Sequence, residues 1–345
     1  MEKNVRVATV QAEPVWLDMA ATTEKTIALI KEAAAEGAEL VAFPETWIPG
    51  YPVFLWSYPV PFQVPYVARY HANSPTIDGP EVAAIRKAAR EAGIWVVLGL
   101  SEKDHGSLYM SQVIIDDEGE IALHRRKLKP THAERSLFGE SDGSGIRVVD
   151  TPFGRLGALN CFEHIQPLTK YAMYAQNEQI HVAGWPCLGI LANVPALSPE
   201  ALISASQTYS LEGGGFTLMS TQIMSDEGAL AFPDADGGPC LVYTGGGGYA
   251  RVYGPMGQLL TEPLDPTVEG IVYADISLDD IAIAKNIVDP AGHYARPDVT
   301  RLVFDASPQR PVSAPADAGH GDAPGHAAAI ADPAVVALGP SENAS

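Results

Sequence analysis

The stretch "GALNCFEHIQP", residues 157–167, runs apolar in a strand pattern as far as Asn160, bends at Cys161, and passes toward a helix that opens at Pro167. A strand that hands over to a helix through a short bend is the building step of an α/β chain. The flanking sequence repeats that step. Upstream, "IRVVD", "TPFG" and "RLGALN" form a hairpin pattern leading into the bend. Downstream come a helix over 167–177, a strand "QIHVAGW" (179–185), a helix over 199–211 and a strand "FTLMSTQ" (216–222).

The N-terminal half keeps the same rhythm. "VRVATVQA" (5–12) reads as a strand, the spacing of Ile27, Ile30 and Ala33 predicts a helix over 20–36 ended by Gly37, and "ELVAFPE" (39–45) is a buried strand stopped by Pro44. Asp78-Gly79-Pro80 opens a helix over 80–92, followed by the strand "IWVVLGLS" (94–101). Two further hairpins are expected, "LYMSQVIID" with "EIALHRR" and "ARVYGPMGQLL" with "EGIVYADIS", then a short helix over 278–285. Hairpins interleaved with β-α-β steps imply mixed sheets covered by helices, an α/β fold.

Composition narrows the function. With 345 residues, 46% of them hydrophobic, the chain can bury a large core. A net charge of −20 argues against the Lys/Arg-rich face that nucleic acid or an anionic membrane needs, so no nucleic-acid partner is expected. The opening "MEKNVRVATVQAEP" lacks the apolar core of a signal peptide, and no apolar run of about 18 residues suggests a membrane span. Three cysteines, Cys161, Cys187 and Cys240, suit free thiols in a reducing compartment, so a cytoplasmic location is expected. Past residue 310 the chain is rich in Ala, Pro, Gly and Asp and has no Lys or Arg, which implies a domain over 1–310 and a flexible tail over 311–345.

Most free cysteines are buried and inert. Cys161 stands apart because a strand-to-helix bend projects its sulfur above the sheet, where a following helix start favours the thiolate. Two other segments also place charge just beyond an apolar strand. "VAFPETW" leaves Glu45 there, and "HRRKLKPTHAER" supplies Lys127, Lys129 and Glu134. A charge at a strand end is commonly a solvated or ion-paired group. Together, however, a Glu, a Lys and a Cys offer a base, a cation for developing negative charge, and a nucleophile.

"FPETWIPGYP", "HRRKLKPTHAER" and "GALNCFEHIQPL", in that order, resemble the motifs of the nitrilase superfamily of carbon–nitrogen hydrolases, and "DPAGHYARPDV" (289–299) resembles the closing signature of its nitrile-hydrolysing branch. The resemblance spans residues 5 to about 300 and implies an α-β-β-α sandwich with Glu45, Lys127 and Cys161 as a triad. It favours Lys127 over Lys129 and makes Glu134 a second active-site glutamate. Phe162 stands where family members usually carry Trp. Tyr51, Phe162, Trp185 and His293 lie close in sequence to these motifs and are substrate-binding candidates, Tyr51 and Trp185 also by the resemblance, which further implies that no metal or organic cofactor is required and that the protein would form homo-oligomers, dimers building larger spirals. The implied activity is hydrolysis of a small-molecule nitrile to a carboxylic acid and ammonia. An amidase or carbamoylase with the same triad, and a cyanide-hydrolysing enzyme, are the alternatives. A Cys-His hydrolase using His164 or His181, and a filament-forming scaffold, stand outside that scheme.

Overall fold

A computed structural model describes residues 4–234 and 236–309. The expected tail over 311–345 lies outside the described residues. The first half of the chain contains β1 (Asn4–Ala12), α1 (Met19–Ala35), β2 (Leu40–Ala42), α2 (Phe54–Ser57), α3 (Val60–Ala72), α4 (Pro80–Ala92), β3 (Trp95–Asp104), β4 (Ser107–Ile115) and β5 (Ile121–Arg126). The second half contains β6 (Val149–Thr151), β7 (Gly154–Asn160), α5 (Pro167–Tyr174), β8 (Ile180–Trp185), α6 (Pro199–Gly213), β9 (Phe216–Gln222), α7 (Asp226–Ala229), β10 (Arg251–Tyr253), β11 (Gly270–Ser277) and α8 (Asp279–Ile287).

Strand pairing runs β5-β4-β3-β2-β1-β9-β8-β7-β6, with β11 added beside β1 and β10 beside β9. β1 pairs with β11 over Asn4–Gln11 and reaches β9 only at Gln11 and Ala12. The assembly therefore splits at the end of β1 into two sheets that face each other. Val7, Leu40, Ala42, Val97 and Ile114 from one sheet meet Leu156, Ala158, Ile180, Val182 and Leu218 from the other in a common buried layer. Each Val, Leu or Ile side chain among them, fully buried, contributes about 1.5–3 kcal/mol of hydrophobic stabilisation. On the outer face of the first sheet, Ile30 and Ala33 of α1 and Ile85 and Ala89 of α4 pack on Val41, Val96 and Leu98. On the outer face of the second, Ala172 and Met173 of α5 pack on Leu159, and Leu202 of α6 packs with Ala183 and Met219. The expected α-β-β-α sandwich is the fold observed.

Two expectations differ from the structure, and one pair of helices was not anticipated at all. Only Leu40–Ala42 of the segment 39–45 is paired as a strand, because the backbone turns out of the sheet before Pro44. β10 and β11 do not form a hairpin: β10 adds antiparallel to β9 and β11 adds antiparallel to β1, each covering an edge that the parallel strands leave open. Residues 54–72 form α2 and α3 despite four prolines between residues 52 and 65, with Pro65 inside α3. Proline normally breaks such a pattern, so the helices do not announce themselves.

Candidate active site

Strand direction gathers the charged residues. β5 is antiparallel to β4, which is antiparallel to β3, so β5 points the same way as β2 and β3. β7, β8 and β9 are mutually parallel, and β9 is parallel to β1. The carboxyl ends of β2, β5, β7, β8 and β9 thus lie on one rim, where open α/β sheets collect functional groups. Lys127 directly follows β5, Cys161 directly follows β7, and Glu45 lies just beyond β2. A side chain at Gly99 on β3 would put its Cβ 2.0 Å from the Pro44 carbonyl oxygen, so the bare backbone there lets the Glu45 loop cross. The Gln222 side chain, at the end of β9, donates to the Glu45 carbonyl at 2.6 Å and accepts from the Tyr51 N–H at 3.2 Å.

Lys127 Nζ donates to Glu45 Oε1 and to Glu134 Oε2, both at 2.8 Å, and all three side chains are buried. Glu134 is held from two further sides: its Oε1 accepts from the Tyr51 hydroxyl at 2.7 Å, and its Oε2 from the Thr131 N–H at 2.6 Å. The Cys161 sulfur and one oxygen from each of Glu45 and Glu134 lie within 4.8 Å of one another. Glu45 Oε2 has no hydrogen-bond partner. Donor type alone would let these residues hold a metal ion, but the Lys127 ammonium already bridges both carboxylates. Lys129 instead pairs with Glu140 at the surface.

Burial dominates the electrostatics. It raises Glu45 to about 8, with the Lys127 ammonium offsetting only part of the effect. Burial works against the charge on Lys127, yet the facing Glu134 and Glu45 carboxylates outweigh it and hold the amine well above the usual lysine range. The Cys161 thiol is pushed well above its ordinary value by burial and by Glu45, while Lys127 and the Phe162 backbone N–H act the other way. The resting arrangement is a neutral thiol beside a glutamate whose proton affinity is raised from the carboxylate range to near neutral pH.

The bend itself is strained: Cys161 has φ of 46°, a left-handed conformation that costs a non-glycine residue about 1–2 kcal/mol. A buried clamp holds it. Glu163 accepts two hydrogen bonds from Arg125 at 2.7 and 2.9 Å, one from the Asn160 N–H at 2.8 Å, and one from the Leu128 N–H at 2.9 Å. One carboxylate thereby ties the turn carrying Cys161 to the strand end carrying Lys127. Despite its burial, Arg125 and these amides hold Glu163 below the usual carboxylate range. Arg125, Glu163 and Gln222 were not among the sequence candidates. The Asn160–Glu163 pair forms a capping box, an N-x-x-E pattern visible in "NCFE".

Tyr51, Glu134, Cys161 and Phe162 line one cavity together with Trp56, Leu188, Ile190 and Leu202. Trp185 does not line it. Its ring is fully buried, stacked on His164 with centroids 5.3 Å apart, and its Nε1–H donates to Ser206 Oγ at 2.9 Å. His293 lies exposed on the segment after α8 and takes no part in the cavity wall. His164 turns Nδ1 to the Cys161 carbonyl at 2.7 Å, so its bond is to backbone.

A buried thiol and a lysine bridging two glutamates thus sit together at one rim of a two-sheet sandwich. The chain belongs to the carbon–nitrogen hydrolase family, whose model matches residues 6–286. It is 50% identical over 310 residues to an aliphatic nitrilase of Rhodococcus rhodochrous, covering 89% of this chain and 84% of that one. It is 49% identical over 316 residues to an arylacetonitrilase of Aspergillus kawachii, covering 90% and 95% of the two chains. A carbon–nitrogen hydrolase from Helicobacter pylori G27 shares the fold with a TM-score of 0.69 at 20% identity, covering 87% of this chain and all of that one. Among the described residues no helix is long and apolar enough to cross a membrane.

Proposed function

We propose that the protein hydrolyses a nitrile bearing an uncharged, apolar substituent to the carboxylic acid and ammonia. The observation that carries this reading is the partnerless Glu45 Oε2 in the same buried cluster as the Cys161 thiol. Relatives about half identical over nine-tenths of the chain and named as nitrilases support the substrate class. The cavity wall supports the substituent: it is mainly aromatic and aliphatic, and no Lys, Arg or His belongs to it among the described residues. An acyl group carrying a carboxylate would find no counter-charge there.

In this reading Glu45 takes the thiol proton as the Cys161 sulfur adds to the nitrile carbon and passes it to the nitrogen, giving a thioimidate and freeing the carboxylate. Lys127 and the Phe162 N–H stabilise the negative charge that builds on that nitrogen. Water adds to the thioimidate carbon, the C–N bond breaks, and ammonia leaves a thioester. A second water, deprotonated by Glu45 with Glu134 holding Lys127 in place, breaks the C–S bond and releases the acid and the thiol. Tyr51 and Phe162 flank the reacting carbon. Trp185 supports the wall from behind, and His293 has no role in this scheme.

A panel of neutral and carboxylate-bearing nitriles, with the matching amides and cyanide, assayed for ammonia against Cys161→Ala as blank, tests the reading. Ammonia is expected from neutral nitriles, with kcat/KM for carboxylate-bearing ones lower by at least about tenfold. Faster release from the amides would assign an amidase or carbamoylase, and release from cyanide alone a cyanide hydrolase. We further propose a cytoplasmic homo-oligomer; exposed Val60, Phe62, Val64 and Leu241 favour self-association.

A further inference from the structure

Behind the Cys161 turn, a line of buried side chains that the proposed chemistry does not use ends on the nucleophile's own carbonyl. His164 Nδ1 lies 2.7 Å from the Cys161 carbonyl oxygen, His164 Nε2 lies 2.9 Å from His181 Nε2, and His181 Nδ1 lies 2.7 Å from Glu178 Oε1. The Tyr209 hydroxyl donates to Glu178 Oε2 at 2.5 Å. None of the four lines the cavity beside Cys161.

The contacts fix the proton count. A carbonyl only accepts, so His164 Nδ1 carries a hydrogen. With that ring neutral, its Nε2 accepts, so His181 Nε2 carries a hydrogen. His181 Nδ1 then accepts in turn, and Glu178 must be the donor, as a protonated carboxyl. Moving the proton onto either ring keeps all three bonds but never changes the total. The line holds one proton more than a carboxylate with two neutral rings, and losing it sets two lone pairs face to face.

The surroundings favour this state. Burial lowers His164 and His181 well below the usual histidine range and raises Glu178 to about 8. The charges facing the line are few. Arg125 and Glu163 act on His181 as an already paired couple, Glu163 and Lys170 act on His164, and Lys285 acts on Glu178. The neutral Tyr209 ring stacks on His181 with centroids 3.8 Å apart. A side chain at Gly157 on β7 would put its Cβ 1.9 Å from Glu178 Oε1, so the absence of one lets the carboxyl reach His181.

We propose that Glu178, His181 and His164 are positioning residues, a proton-balanced strut that holds the carbonyl of Cys161 and thereby the strained turn that presents its sulfur. The proposal rests on Cys161 being the nucleophile. When the shared proton leaves at alkaline pH, His164 relieves the facing lone pairs by carrying its hydrogen on Nε2, loses its bond to the carbonyl, and turnover declines with the geometry.

Glu178→Gln and Glu178→Leu separate the strut from simple packing. An amide N–H donates to His181 Nδ1 as the protonated carboxyl does but has no proton to lose, so Glu178→Gln should keep kcat near neutral pH and lack the alkaline decline of kcat/KM. Glu178→Leu leaves His181 without a donor, so kcat should fall about 100-fold with KM little changed, as expected for a displaced nucleophile. Imidazole 15N shifts of the wild type, which need no turnover, should show His164 protonated on Nδ1 and His181 on Nε2 at neutral pH. An unchanged alkaline limb in Glu178→Gln, a kcat as low as that of Glu178→Leu, or the opposite tautomers would overturn the strut. Turnover surviving Cys161→Ala would instead overturn the reading beneath it.

Discussion

Glu45→Gln is expected to lower kcat/KM by about 10³–10⁴-fold, near the upper range for loss of a general base, while leaving the fold intact. The amide fills the same space, and its oxygen still accepts from Lys127 Nζ, but it cannot take the Cys161 proton. Because burial holds that thiol well above its ordinary value, no thiolate forms without a base. In the wild type, the Glu45 value of about 8 makes kcat/KM fall as pH drops through that region, far above the range of a free carboxylate. Stability moves the other way. The folded-state value lies above the unfolded reference of 4.5, so the folded protein binds this proton more tightly. The contribution is fully present below the unfolded value and is lost as pH rises to the folded one, at most about 1.4 kcal/mol per pH unit. Glu45→Gln should therefore gain in melting temperature relative to wild type between those two values and gain no more above the higher one. Thermal melts across pH, set beside the kinetic profile, check both signs. A variant with wild-type turnover, or an acid limb unchanged by the substitution, would contradict the role of Glu45.

Lys127→Met is expected to damage both stability and activity. Its ammonium is the partner of two buried carboxylates at 2.8 Å each, and removing one member of a buried pair costs about 3–5 kcal/mol. The loss should be largest at high pH and shrink as the carboxylates protonate. A second substitution, Glu134→Gln, removes one of the stranded charges and should recover part of the melting temperature. Activity should stay down by about 10²–10³-fold in both variants, because the cation for the developing negative charge is absent from each. Chemical denaturation and steady-state kinetics on the two proteins measure the effects separately. Activity returning with stability in the double variant would reduce Lys127 to a structural ion pair.

Glu45, Lys127 and Cys161 were legible as candidates because each lies just beyond a strand, and parallel strand direction carries the three to one rim. The groups that hold them were not. Arg125 reads as one more charge in "HRRK", and only the packed fold buries it against Glu163. His181 sits inside an apolar strand, and no motif pairs it with His164 or marks Glu178, three residues before it, as its partner. Trp185 and His293 stand near the matching motifs in sequence, yet one side chain turns behind Cys161 and the other lies on an exposed segment, which sequence proximity does not distinguish. The same limit explains β10 and β11: two strand patterns joined by a turn read as a hairpin until the open edges of β9 and β1 are known.

In the proposed reaction Cys161 carries the acyl group. Acid-quenching the enzyme during turnover of a neutral nitrile and mapping its peptides by mass would locate the adduct. A thioimidate or thioester mass is expected on the peptide containing Cys161 and not in Cys161→Ala, which should release no ammonia. An adduct on Cys187 or Cys240, or steady turnover by Cys161→Ala, would contradict it.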